Sequence, residues 1–391
     1  MNKTKRNKQY IKKNKTCKVT QIPMSDKDIK AIIDVNAIKN NVNFLKKKTK
    51  LDLMPVLKAD AYGHGLIEMA KILRKLGIKY IGVATLGEAI LLRKSGDNGR
   101  ILSWLYDIDG QEIKDGIKLN LDLAIFDENL IPKLEKLIPK GTVVKTTMFI
   151  DTGINRAGIP YEKSLQAFKD VASKPDKFEI VGMMSHLVCS GIKNSPIVNE
   201  QLRKFRELRS KLEEIGIKPP LVHIANTGAC LNYDVSDFTL ARPGSGIYGI
   251  PGNDEVDKNL KLAMTVKSYV IQLKDVEKGA GIGYDWKYIA PRKMRVAVLP
   301  IGYADIIPRS SSGKLYVYIN GTKRKVLGTI SMDQIIVEAK DKDKINDDAI
   351  IFGNGKNCPQ TIFNLAKSGD AFPIEILCHT GYRINRTYIN K

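Results

Sequence analysis

Cysteine is scarce and scattered in this 391-residue chain. The five residues, Cys17, Cys189, Cys230, Cys358 and Cys378, include no C-x-x-C pair. An odd, dispersed set argues against a disulfide framework and fits a reducing compartment, so a cytoplasmic protein is expected. No metal-ligand set is read. No apolar run is long enough to cross a bilayer, and the basic N-terminus lacks the apolar core of a signal peptide. No membrane partner is expected. Acidic residues are outnumbered 42 to 64, giving a formal net charge of +22. Yet no basic run is interleaved with aromatics as a base-stacking surface needs, and no nucleic-acid partner is expected. A field of that sign instead suits an anionic cofactor.

What remains is a globular composition of a length that suits one barrel-sized domain plus a smaller one. Residues 1–25, rich in Lys and Asn, read as a disordered basic tail. From there to about 258, strands alternate with helices. Ala31 to Val35 is a strand, with Asn36 capping a helix through Lys47. Strands follow at Met54 to Leu57, Tyr80 to Val83, Ile101 to Leu105, Leu123 to Phe126, Thr142 to Ile150, Ile180 to Met184 and Leu221 to Ile224. The helices between them run Leu66 to Leu76, Leu86 to Lys94, Asn129 to Leu137, Leu165 to Ala172 and Val198 to Ile215. Such alternation is the sequence form of a parallel α/β fold, and its count predicts a (β/α)₈ TIM barrel over 26–258. Residues 259–391 change texture to short alternating runs separated by turns such as Asn320-Gly321, which predicts a C-terminal mostly-β domain.

Barrel proteins build their sites where strands end. Pro55-Val56-Leu57-Lys58-Ala59-Asp60-Ala61-Tyr62-Gly63-His64-Gly65 is such an end. A lysine leaving an apolar strand is either reaching for solvent or partly desolvated. In the second case its pKa falls and a neutral amine becomes available for Schiff-base or base chemistry. Further strand ends carry Asp151-Thr152-Gly153-Ile154-Asn155-Arg156-Ala157-Gly158, then His186, then Asn226-Thr227, then Arg242-Pro243-Gly244-Ser245-Gly246. In the β domain stand Gly283-Tyr284-Asp285, Pro300-Ile301-Gly302-Tyr303-Ala304-Asp305 and Ser331-Met332-Asp333-Gln334. Taken singly each has a plainer reading: a surface arginine, a structural histidine, a packing tyrosine in a glycine turn.

Taken jointly, in order and over nearly the whole chain from about residue 30, these segments resemble the alanine racemase family. The resemblance implies a pyridoxal 5′-phosphate (PLP) enzyme that interconverts L- and D-alanine, supplying D-alanine for peptidoglycan. It implies that Lys58 carries the cofactor and that Lys58 and Tyr284 are the two catalytic bases, one on each face. Tyr62, Asn226, Thr227, Gly244 and Ser245 would hold the phosphate end, with His186 stacked on the pyridine ring and held by Arg242, and His223 would support its own strand. Arg242 would face the ring nitrogen. Since arginine does not give up its proton, the ring is a weaker electron sink, which favours racemisation over transamination or decarboxylation. Arg156, Tyr303, Met332 and Asp333 would bind or admit the amino-acid substrate. The family also implies a homodimer with shared active sites, in which Lys58 and Tyr284 come from different copies.

Two departures bear on substrate. The family often has a carbamylated lysine where this chain has Phe149, so another group or an anion such as chloride would have to orient Arg156. Ile374, in Phe372-Pro373-Ile374-Glu375, replaces a tyrosine that touches the phosphate and narrows the pocket. Alanine leads as substrate, with serine, lysine or a broad range as alternatives. A barrel-type PLP decarboxylase is the other enzymatic reading, which Arg242 disfavours. A lone-barrel PLP carrier is the non-enzymatic one, which the β domain disfavours.

Overall fold

The computed structural model describes residues 28–252, 257–354 and 358–390; the basic tail lies outside them. Eight parallel staves form the first half. They are Asp52–Leu53, Tyr80–Thr85, Arg100–Leu105, Asp122–Ile125, Val144–Asp151, Phe178–Met184, Leu221–His223 and Leu240–Ala241. Neighbours pair in parallel in that order, the first and second through a bridge between Val56 and Gly82. The ring closes where Asp52–Leu53 pairs with Leu240–Ala241. Thr239 N–H donates to Val222 O at 3.1 Å and Arg242 N–H to Ala225 O at 2.7 Å, joining the last two staves. The stave Asp122–Ile125 is buried along its whole length, as a strand covered on both faces must be.

The helices lie between the staves, and the capping chemistry is local. Asp34, not Asn36, caps the helix Val35–Thr49: its carboxylate accepts from Asn36 N–H at 2.9 Å. Thr85 and Glu88 form a reciprocal capping box on Leu86–Lys94. The helix Gln111–Lys118 is not among the elements expected from the sequence: its buried face is sharp but short, made of Ile113, Gly116 and Ile117 alone.

The second half is a nine-stranded sheet with two short helices, Ile362–Gly369 and Pro373–Cys378. The turn at Asn320-Gly321 has φ of 49° and 70° and joins two paired strands, as the dipeptide predicts. One expectation is corrected. The strand Lys30–Asp34, read as the barrel's first, belongs to this second sheet. It runs antiparallel to Met264–Tyr269 and parallel to Asn385–Ile389. Periodicity shows that a strand exists but not which sheet receives it. The chain thus starts in one sheet, winds the barrel and returns, which ties the two halves together.

Candidate active site

Lys58, Arg156, His186, Asn226 and Arg242 each follow a barrel stave at its C-terminal end, and all five line one cavity of about 600 Å³. Tyr62, Thr227, Gly244, Ser245, Phe149 and Ile374 line it too. Among the described residues its lining includes three cationic side chains, Lys58, Arg156 and Arg242, and no carboxylate. That wall selects an anion. Burial, followed by the charge of Arg156, holds the Lys58 amine below its ordinary pKa. The plainer reading of Lys58 as a solvent-seeking lysine is set aside.

The backbone that carries Lys58 is unusual. Four consecutive non-glycine residues, Ala59, Asp60, Ala61 and Tyr62, have φ of 54°, 53°, 56° and 53°. Left-handed backbone costs an L-residue roughly 1–2 kcal/mol, so the turn is held from outside. Glu88 accepts from Ala59 N–H at 2.7 Å, and Asp60 accepts from Leu66 N–H at 2.8 Å. The next residue, Gly63, is obligatory: a Cβ there would lie 2.0 Å from Leu377 O. Gly244 is required for a different reason. A Cβ on it would meet the Tyr62 hydroxyl at 2.3 Å, so its bare backbone lets Tyr62 reach across the cavity end.

Thr227 shows how that end is organised. Its hydroxyl oxygen accepts from Gly244 N–H at 3.2 Å and Gly246 N–H at 3.0 Å. With both lone pairs engaged, its O–H remains to donate. Asn226, which also lines the cavity, organises the backbone beside it. Its side-chain oxygen caps the helix Thr227–Asn232 through Ala229 N–H at 3.1 Å and accepts from Ser190 Oγ.

At the other end Arg242 is buried and its pKa is pushed down to about 10 by desolvation. It donates to His223 Nδ1 at 2.7 Å, to His223 O and to Ser185 O. The expectation that Arg242 holds His186 is corrected in detail: it grips the carbonyl of the preceding residue. His186 is pushed down to about 3, first by burial and then by the charges of Arg242, Arg156 and Lys58, and is therefore neutral. Gln201, which the sequence reading missed, positions it by donating to His186 O at 3.0 Å and accepting from Val188 N–H at 3.0 Å.

Asp151 organises the next loop, its Oδ1 accepting from the N–H groups of Gly153, Ile154 and Asn155 at 2.8, 2.9 and 3.2 Å. Arg156 at its tip has no hydrogen bond or ion pair among the described residues. Phe149 offers it none: it is buried with Met54, Leu102, Ala124, Met184 and Leu240 in an apolar plug under the cavity.

Tyr284, Tyr303, Met332 and Asp333 do not join this cavity within one copy of the chain. They form a separate patch on the second sheet. Tyr303 N–H donates to Ser331 O at 3.1 Å and Ala304 N–H to Met332 O at 3.0 Å, while Thr329 Oγ1 reaches Tyr284 O at 3.5 Å. Tyr284 is 63 % exposed and Met332 52 %. Asp333 pairs with Arg383 at 2.6 Å, and Arg383 also bonds Asp305 at 3.0 Å, so Asp333 braces the patch.

Fold and cavity define a (β/α)₈ barrel protein with a cationic, lysine-bearing site at the strand ends. The comparisons make this specific. Residues 33–251 match the family model for the alanine racemase N-terminal domain and 263–388 that for the C-terminal domain. The chain belongs to the alanine racemase family. It is 32% identical over 364 residues to the alanine racemase of Salinispora arenicola, covering 91% of this chain and 97% of that protein. It is 32% identical to that of Mycolicibacterium smegmatis, covering 92% of this chain and 94% of the other. Among solved structures, the alanine racemase of Streptomyces lavendulae superposes with a TM-score of 0.86 at 29% identity, covering 94% and 98% of the two chains. That of Bacillus anthracis with bound L-Ala-P gives 0.85 at 27%, covering 95% and 97%. No helix among the described residues is long and apolar enough to cross a membrane.

Proposed function

We propose that this chain interconverts L- and D-alanine with pyridoxal 5′-phosphate as its cofactor, in a cytoplasmic homodimer whose two copies complete each other's sites. The observation that carries the reading is the cavity wall of Lys58, Arg156 and Arg242, to which the described residues add no carboxylate. A decarboxylase of this barrel class sets an acidic residue where Arg242 stands.

The residues present fit the cofactor. Tyr62, Ser245 and the free O–H of Thr227 would hold its phosphate, Lys58 its carbonyl carbon, and His186 and Arg242 its ring. Bound there, the cofactor supplies an electron-withdrawing ring that weakens the α-C–H bond of an amino acid joined to it. Lys58, whose pKa burial lowers, accepts or returns a proton at Nζ on one face. The partner subunit's Tyr284 does so at its hydroxyl on the other. Arg242, fixed by His223 and Ser185, offers the ring nitrogen no proton to take. Arg156 neutralises the substrate carboxylate, and Phe149 keeps water from beneath it.

The shared site is supported by the exposed tyrosines and methionine of the second patch, which one copy leaves uncovered. The test is a panel of L-amino acids incubated with the PLP-loaded protein and read for the D-form. D-alanine formed faster than any other product is the expected result. Faster conversion of serine, lysine or arginine would overturn the substrate, and no conversion of any would overturn the function.

A further inference from the structure

The turn that carries Lys58 is held by the far end of the chain. Arg386, on the C-terminal strand Asn385–Ile389, donates to Asp60 Oδ2 at 3.1 Å and to Gly63 O at 3.2 Å. The same guanidinium donates to Thr380 O at 2.8 Å, Ile384 O at 3.0 Å and Gly381 O at 3.1 Å. Tyr388, two residues on and so on the same strand face, donates its hydroxyl proton to His64 O at 2.7 Å. It stands where a Cβ on Gly65 would need to be, 2.1 Å from that Cβ position. The Asp60 carboxylate therefore works twice, capping the helix Leu66–Lys75 with one oxygen and meeting Arg386 with the other.

We propose that Arg386 and Tyr388 are positioning residues for the reaction, clamping the left-handed turn 59–62 so that Lys58 and Tyr62 face one cavity. The strained backbone supplies the reason a clamp is needed. Nearer bonds, from Ala59 N–H to Glu88 and from Leu66 N–H to Asp60, hold part of the turn, and those of Arg386 and Tyr388 reach it from more than 320 positions away. The strand that bears the clamp pairs with Lys30–Asp34 in the sheet that also carries the Tyr284 half, so the turn is referenced to the second domain. Neither residue lines the cavity.

The inference rests on the proposed function only for its effect on turnover. Tyr388→Phe removes the hydroxyl that bonds His64 O and leaves the ring, so it tests the clamp even if Arg386→Gln fails to fold. Hydrogen exchange over 58–65, read in the cofactor-free protein, should speed up about tenfold in Tyr388→Phe while the barrel staves stay protected. The dissociation constant for PLP should rise about fivefold or more, and kcat for alanine should fall with little change in KM. Arg386→Lys should recover part of what Arg386→Gln loses. Unchanged exchange and unchanged PLP affinity in Tyr388→Phe overturn the clamp, and leave the racemase reading standing. Faster exchange in a protein that racemises nothing keeps the clamp and overturns the reading.

Discussion

Arg242 donates through Nη1 to Nδ1 of His223 at 2.7 Å. A guanidinium has no acceptor, so His223 accepts here and carries its own proton on Nε2. Both are buried, and the charge of Arg242 adds to burial in keeping His223 neutral. The pair fixes a cation that can only donate at the floor of the cavity.

Arg242→Gln should therefore lower turnover and open side reactions, since the fixed positive charge that opposes protonation of the ring nitrogen has been removed. Pyruvate formed from alanine, up to about one per bound cofactor since the amino group stays on the cofactor, is the readout. The protein should also lose about 1–3 kcal/mol of stability, because His223 Nδ1 and Ser185 O are left without their donor. Equal specificity with no pyruvate would contradict the role.

Stability should fall on the acid side. His64 is fully buried, stacked on Tyr248 with centroids 4.2 Å apart, and burial pushes it down to about 4. His223 lies well below its ordinary value for the same reason. Unfolded, both titrate near 6.5, so below that pH the unfolded chain binds more protons than the folded one. The stabilisation is complete above about pH 6.5 and is lost as pH falls towards 4. Urea midpoints measured across that window check the sign, and His64→Gln, which cannot charge, should flatten the slope.

Lys58 responds to two neighbours of opposite sign. After burial, Arg156 lowers its pKa while Glu88 raises it. Arg156→Gln should move the pH profile of Lys58 reductive methylation in cofactor-free protein upward, and Glu88→Gln should move it downward. Shifts in the same direction would mean that neither charge reaches the amine.

Ile374 stands where the family resemblance implies a tyrosine. It lines the cavity from the helix Pro373–Cys378. Ile374→Tyr should tighten PLP binding by about tenfold if its hydroxyl reaches the phosphate, a bond worth roughly 1.5 kcal/mol or more. It should also suppress turnover of amino acids larger than alanine. Affinity and substrate range unchanged from the parent would contradict this placement.

Much of this site was legible because the residues that touch the ligand sit in short, ordered segments at strand ends. Lys58, Arg156, His186, Thr227 and Arg242 were found in that way and line one cavity. What escaped was whatever acts through tertiary contact. Gln201, Arg386 and Tyr388 lie on ordinary helix and strand positions, and nothing local sets them apart. Glu88 had a signal, the Thr85-Leu86-Gly87-Glu88 capping box, but that pattern does not reveal its second bond, to Ala59. The strand Lys30–Asp34 was placed in the wrong sheet for a related reason: alternation reports a pleat, while its partners Met264–Tyr269 and Asn385–Ile389 lie more than 200 residues away.

The central claim is that Lys58 of one copy works with Tyr284 of another, and hybrid dimers test it directly. Lys58→Ala and Tyr284→Phe should each be inactive alone. Mixed one to one and allowed to exchange subunits, they should recover about a quarter of parental activity, because half the dimers are hybrids with one intact site of two. Mixtures that stay as inactive as their components would contradict the shared site.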